Sequence, residues 1–222
     1  MTRIVLVRHG ETVWHADNRY AGRSDVALTP LGHEQAERLA GWAAAAELDA
    51  IWCSPLSRAR ETADAVALAT GQQPTVDARL AELDFGRGEG LTTADMREQF
   101  PDALAAFHAD PAAHHLPDGE DPRAAADRSL DCLRDIASAH PSGRVLVVAH
   151  TTLIRLTLCD LIGVPIGNYR RLFPFVRNGA ITEIRLEAGG ASLMQFNTPL
   201  ESTTAPGVAR AQAAPGSVAG AA

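Results

Sequence analysis

Two short, unbroken apolar runs constrain this chain most: Ile4-Val5-Leu6-Val7 near its start and Val145-Leu146-Val147-Val148-Ala149 far downstream. Apolar residues without alternation suit a strand buried on both faces, as in a central parallel sheet covered by helices. Each run ends in chemistry instead of a bland turn. Arg8-His9-Gly10-Glu11-Thr12 follows the first, and His150-Thr151-Thr152 follows the second. Ligands of open α/β sheets collect beyond the carboxyl ends of the strands. Two buried strands that each deliver an imidazole to that edge are hard to explain by packing.

Between these runs the pattern turns helical. Thr29-Pro30 is a cap followed by a first-turn proline, and Leu31, Gln35, Leu39, Trp42 and Ala46 are expected on one face of the helix it opens. Ala50–Cys53 predicts a second strand. Ser54-Pro55 repeats the cap-plus-proline signal and predicts a helix to about Ala69, with Ala59, Ala63, Val66 and Ala67 inward. The stretch from Ala103 to Pro122 is rich in Pro, Asp and His and reads as a surface lid or irregular excursion. Ala124–Ala139 is expected to be helical, with Leu130, Leu133 and Ile136 inward, as is Thr151–Ile162, ended by Gly163 and Pro165. Ala180–Leu186 and Ala191–Phe196 predict a hairpin around Gly189-Gly190. The expected fold class is α/β: a three-layer α/β/α sandwich with a mostly parallel central sheet and helices on both faces. One domain is expected over residues 1–197, with a flexible Ala/Gly/Pro-rich tail over residues 198–222.

Composition removes several chemistries. All 20 basic residues are Arg, so no Walker-A lysine, Schiff-base lysine or pyridoxal attachment is available. A net charge of −7 argues against nucleic acid or an acidic membrane surface as partner. Cys53, Cys132 and Cys159 form no CxxC pair and no disulfide framework, which favours a reducing, cytoplasmic setting. No apolar run is long enough for a signal sequence or a membrane span. A phosphate site in this chain must therefore use Arg, His, backbone N–H groups or a metal. Arg suits it well, because its planar fork binds phosphate bidentately and keeps its charge.

Such a site assembles at the predicted strand ends. Arg8 and His9 leave the first strand and His150 leaves the last. Arg58 lies in the first turn of the helix after Ala50–Cys53, and Thr151 begins the helix after His150. Helix N-termini add free N–H groups and a favourable dipole for an anion. A dianionic phosphoryl group best matches this much gathered positive charge. A neutral nucleophilic imidazole at His9 needs an acceptor for its other nitrogen, and a backbone carbonyl near Gly10 is expected to supply it. Neighbouring arginines oppose its protonation.

These residues resemble a family. Arg8-His9-Gly10-Glu11-Thr12, Ser54-Pro55-Leu56-Ser57-Arg58-Ala59 with Thr62-Ala63, Glu82 with Phe85-Gly86 and Glu89-Gly90, and Val148-Ala149-His150 are similar to motifs of the histidine phosphatase superfamily. This is the metal-independent, phosphoglycerate-mutase-like group, and the resemblance runs from about Thr2 to Asn197. It implies that His9 is the nucleophile and forms a phosphohistidine. It implies that Arg8, Arg58 and His150 hold the phosphoryl oxygens, and that Glu82 serves as general acid, then general base. No metal and no cofactor are implied. The chain departs from the family pattern at three positions. His15 stands where Asn usually follows the Trp, and with Asn18 it becomes a candidate phosphate contact. Thr151 stands where Gly usually follows the second His, in a place where a left-handed backbone angle would be strained. Gly88 stands where a Trp is often found, which suggests a wider pocket entrance.

Each assignment has a bland rival. For His9 and His150 it is a pair of capped core histidines. For Arg58 it is a surface ion pair with Glu61 or Glu34, and for Glu82 it is competition from Asp84 and Glu89. Glu11 reads as structural, and His33, His108 and His140 read as surface residues. Pro117-Asp118-Gly119-Glu120 matches a loop that the family places near substrate. His114-His115 lacks a spaced carboxylate cage for a metal. The preferred activity is that of a short phosphatase-type member, a phosphomonoesterase of the histidine acid phosphatase type acting on a small phosphorylated metabolite. A phosphoglycerate mutase and a catalytically silent phosphate-binding regulatory module are the alternatives. A homodimer stays open.

Overall fold

Six strands form one sheet: β1 (Thr2–Arg8), β2 (Ala50–Cys53), β3 (Thr75–Val76), β4 (Arg144–Ala149), β5 (Ile181–Glu187) and β6 (Gly190–Thr198). Their order is β3-β2-β4-β1-β5-β6. The computed structural model describes residues 1–187 and 189–200. β1 pairs in parallel with β4, β4 with β2, and β2 with β3. β5 and β6 form an antiparallel hairpin added to the β1 edge. The expected α/β sandwich is therefore what forms, with an antiparallel flank on a parallel centre.

Strand alternation divides the core in two. Ile4 and Leu6 of β1 and Val145 and Val147 of β4 face one side, where Leu133, Ile136, Leu153 and Leu156 pack on them. Val5, Val7, Leu146 and Val148 face the other, against Leu39, Ala43, Ala59, Ala63 and Val66. The first side is covered by helices α5 (Pro122–Ala139) and α6 (Thr151–Leu161), the second by α1 (Pro30–Ala43) and α2 (Ser57–Thr70). Because both faces are covered, the apolar side chains of β1 and β4 are essentially removed from water, and each large aliphatic contributes about 1.5–3 kcal/mol of burial. Small residues let α1 and α2 approach closely. The turn after β1 also packs closely on α1: a Cβ on Gly10 would lie 2.4 Å from the Gly32 carbonyl oxygen.

Register decides where the chemistry goes. Arg8 lies opposite Ala149, and Cys53 opposite Val148. The ladder then continues one step past the strands: the His9 N–H donates to the Ala149 carbonyl (3.1 Å) and the Ser54 N–H to Val148 (3.0 Å). His9, Ser54 and His150 thus leave the sheet at the same edge.

Four local expectations need correction. Leu31 is exposed, and the buried face of α1 is instead Gly32, Ala36, Leu39, Ala40 and Ala43, one residue round the helix. Ser54 is no cap, because α2 starts at Ser57 with Leu56 before it. Ala67 is only half-buried on α2. The Ala103–Pro122 stretch is irregular only from Asp110 to Asp121, and its first seven residues are helical. It follows helix α3 (Thr93–Gln99) and contains most of α4 (Pro101–Ala109), whose Leu104 and Phe107 are buried with Leu116 beyond them. A proline at the first position suits a helix start, and apolar spacing of three residues anchors the helix inward. A four-residue helix α7 (Tyr169–Leu172) precedes β5 and β6. Among the described residues, no helix is long and apolar enough to cross a membrane. The expected flexible tail lies, beyond residue 200, outside the described residues.

Candidate active site

His9, His150 and Arg58 converge at the carboxyl edge of the parallel strands, where His9, Arg8 and Glu82 line a cavity of about 380 Å³ and the fully buried His150 and Arg58 stand next to His9 without lining it. The two imidazole centroids lie 5.1 Å apart. His9 Nδ1 meets the Gly10 carbonyl at 2.6 Å, so Nδ1 carries the proton and Nε2 keeps its lone pair. Arg58 Nε donates to that Nε2 at 3.2 Å. The rest of the Arg58 guanidinium donates to the carbonyls of Ser24 (2.8 Å), Gly22 (2.7 Å) and Ala21 (3.3 Å). Arg58 is fully buried, and its ion-pair rival fails: Glu61 lies instead by His33, and Glu34 by Arg38.

Electrostatics follow from this packing. Burial, then Arg58 and Arg8, hold the His9 imidazole well below its ordinary range. Burial, Arg58 and His9 do the same to His150. Both are neutral bases surrounded by fixed positive charge. Arg8 is drawn down by burial to about 10 and stays charged at neutral pH.

Two donors at this site have no partner among the described residues: Arg8 Nε and His150 Nδ1, both buried. The other nitrogen of His150 lies 2.7 Å from Ser54 Oγ. Ser54 Oγ also accepts from the Leu56 N–H (3.3 Å), which leaves its own hydrogen for His150 Nε2. That contact places the imidazole proton on Nδ1. The remaining Arg8 nitrogens donate to the Val176 carbonyl (2.8 Å) and to His15 Nε2 (2.6 Å).

Glu82 is buried, and its carboxylate accepts three backbone N–H groups: Leu83 (2.8 Å), Thr152 (2.9 Å) and Leu153 (2.9 Å). It thereby caps α6 and also lines the cavity. Its rivals are occupied elsewhere. Asp84 turns to the Gly86 N–H, and Glu89 accepts from the Arg23, Ser24 and Phe85 N–H groups. Glu11 accepts from the Thr29 hydroxyl at 2.9 Å, a structural tie.

The three departures from the family pattern resolve as follows. His15 lies at the cavity wall, its ring centroid 6.3 Å from that of His9. With Arg8 donating to Nε2, Nδ1 carries the proton, facing the Thr12 hydroxyl (2.9 Å) and carbonyl (3.2 Å). The Thr12 N–H, 3.0 Å from the same Nδ1, suits the opposite tautomer, in which Nε2–H would be free to donate to an anion. Burial and Arg8 hold His15 down to about 4, so it is neutral in either form. Asn18 is exposed at the rim with φ +53°, a left-handed angle that Asn tolerates. Thr151 is the first residue of α6 and has no positive φ, so the expected strain is absent. Gly88 does not widen the entrance. It is buried, and a Cβ there would lie 2.5 Å from Leu116 Cδ1.

Four participants escaped sequence reasoning. Ser54 was available, since it follows β2 as His150 follows β4. Arg128 of α5 donates to the carbonyls of Arg79 (2.6 Å), Ala81 (2.7 Å) and Glu82 (3.1 Å) and grips Glu120, pinning the loop that carries Glu82. The same Glu120 receives the Asp84 N–H, which ties Pro117-Asp118-Gly119-Glu120 to the loop after Glu82; no residue of that segment lines the cavity. Arg155 and Arg170 form its outer wall.

Fold and site together define an α/β protein with a histidine–arginine anion pocket at the sheet edge. The family model of the histidine phosphatase superfamily, branch 1, matches residues 4–199. A putative phosphoserine phosphatase 2 of Hydrogenobacter thermophilus is 34% identical over 197 residues, 89% of this chain and 96% of that protein. A probable phosphoglycerate mutase of Citrobacter koseri is 33% identical over 184 residues, 83% of this chain and 85% of its own. The solved structure of Bacillus stearothermophilus YhfR superposes with a TM-score of 0.84 at 29% identity, covering 89% of this chain and 98% of that one. The chain belongs to the histidine phosphatase superfamily.

Proposed function

We propose that this protein is a metal-independent phosphatase that hydrolyses a small phosphomonoester through a phosphohistidine on His9. The observation that carries this reading is the pair of buried donors without partners, Arg8 Nε and His150 Nδ1, beside the lone pair of His9 Nε2. Buried polar groups are nearly always satisfied, and a phosphoryl group would supply acceptors to both.

In the proposed reaction His9 Nε2 attacks phosphorus opposite the ester oxygen. The N–P bond forms as the P–O bond breaks, and Glu82, which takes up a proton when the phosphoester binds, gives that proton to the departing oxygen. Arg8, Arg58 and His150 Nδ1–H hold the equatorial oxygens, where charge persists throughout transfer. His15 and Asn18 lie at the wall to complete that grip, with the Thr151 backbone at the helix N-terminus. A water then attacks phosphorus, Glu82 takes its proton, and the N–P bond breaks to return neutral His9 and inorganic phosphate.

Incubation with p-nitrophenyl phosphate in EDTA tests this directly. Phosphate release is expected without added metal. Strict dependence on a divalent ion would sink the mechanism, and no release at all would favour the silent regulatory module. The mutase alternative predicts interconversion of 2- and 3-phosphoglycerate without net phosphate release.

A further inference from the structure

The outer wall of the cavity carries positive charge that the transfer chemistry does not use. Arg155 and Arg170 both line it, and among the described residues neither has a carboxylate within 4.0 Å. Both are held in place by aromatic faces. Arg155 lies 5.0 Å from the Tyr169 ring centroid, and Arg170 lies 4.6 Å from that of Phe107. Their polar contacts are neutral. Arg155 donates to the carbonyls of Thr151 (3.2 Å) and Phe173 (3.3 Å), and Arg170 to the hydroxyls of Tyr169 (2.9 Å) and Tyr20 (3.5 Å). The one carboxylate lining this cavity, Glu82, already accepts three backbone N–H groups.

Guanidinium groups stacked on aromatic rings are poorly hydrated and pre-organised, the state that best recognises a planar or tetrahedral anion. Helix geometry sets their reach. Arg155 stands four residues beyond Thr151, roughly 6 Å along the axis, and folds back toward the helix N-terminus. A second anion on that guanidinium would sit beside the helix N-terminus, in the same cavity as His9, a separation that a skeleton of a few carbons can bridge.

Resting on the phosphatase reading above, we infer that Arg155 and Arg170 form a second anion subsite. The preferred substrates are then compact phosphomonoesters bearing another acidic group, a carboxylate or a second phosphate. Neutral or cationic leaving groups leave the two guanidinium groups without a counter-charge.

Matched pairs test this on the intact protein. O-Phosphoserine and O-phosphoethanolamine differ by one carboxylate, as do 3-phosphoglycerate and glycerol 3-phosphate by oxidation of one carbon. 1,3-Propanediol bisphosphate and its monophosphate differ by a second phosphate. The acidic member of at least one type of pair should have a kcat/KM higher by about tenfold or more, the scale of one charge-assisted hydrogen bond. A preference confined to the carboxylate pairs assigns a carboxylate, and one confined to the bisphosphate assigns a phosphate. Arg170→Gln and Arg155→Gln should each collapse the ratio toward one, mainly through KM. Equal kcat/KM within every pair in the unaltered protein overturns the inference, whatever the variants do. So does an unchanged ratio in both variants at unchanged melting temperature. Hydrolysis of p-nitrophenyl phosphate separates the two failures: its loss counts against the phosphatase reading, and its persistence with no acidic preference counts against the subsite alone.

Discussion

The floor and the outer wall of the cavity are both arginine-rich, yet they are built in opposite ways. The floor is backbone-determined. Arg8, His9 and His150 are the residues that end two aligned parallel strands, and Arg58 stands in the first turn of α2, the helix that follows β2. The wall is side-chain-determined. Arg155 and Arg170 reach the cavity only because Tyr169, Phe107 and Tyr20 stack or hydrogen-bond around them. The difference assigns the tasks: rigid main-chain geometry suits the reacting atoms, while repackable side chains suit recognition of the rest of a substrate.

If that division holds, the floor should be intolerant of change. His9→Ala is expected to lower phosphate release by roughly four orders of magnitude or more, as loss of a nucleophile does elsewhere. Arg58→Gln should cost about 10²–10³ in kcat/KM, the scale of one lost oxyanion donor. The same variant should move the pH profile. Burial, then Arg58 and Arg8, hold His9 below the ordinary imidazole value of 6.5, so the neutral base persists into acid. Without the Arg58 charge the His9 pKa rises, and the acid limb of kcat/KM should shift to higher pH. An unmoved limb would show that His9 does not set it. The same burial has a consequence for folding. His9 and His150 are neutral when folded but bind protons near 6.5 when unfolded, so stability should fall as pH drops below about 6.5. Chemical denaturation at a series of pH values reads this slope.

Effects should shrink away from the reacting atoms. Ser54→Ala removes the hydroxyl that places the His150 proton on Nδ1, and about a tenfold loss is expected, the scale of one neutral hydrogen bond. Ser54→Thr should restore kcat, which a purely structural defect would not allow. Leu133→Ala, deep in the layer between β4 and α5, should cost about 2–5 kcal/mol of stability with kcat little changed. A comparable loss of kcat there would mean that floor and core are less separate than their construction suggests.

Legibility in the sequence follows the same line. The central strands, the helices that cover them and the floor residues were readable, because apolar runs and strand-end polar residues are local signals. The Gly10 carbonyl acceptor for His9 was expected and is found. What failed depended on contacts distant in sequence. Ser54 carried a cap signal, but its partner His150 lies 96 positions away. Arg128 pins Glu82 across 46 positions, and nothing in its own neighbourhood marks it. α4 was obscured because Pro, Asp and His suggest a loop, while the deep burial of Leu104 and Phe107 overrides that composition. Gly88 looked like an opening and is instead filled by Leu116. Arg155 was half-legible: its spacing of four from Thr151 places both on one helix face, but only Tyr169, from another helix, holds it there.

The central claim is covalent, so the most direct measurement is to find the covalent species. The protein would be mixed with p-nitrophenyl phosphate, quenched in alkali, digested and mapped by tandem mass spectrometry. The account predicts an acid-labile phosphoryl group on the peptide carrying His9, attached to its imidazole and absent from His9→Ala. Turnover that proceeds with no phosphohistidine, or with the phosphoryl group on another residue, would contradict it.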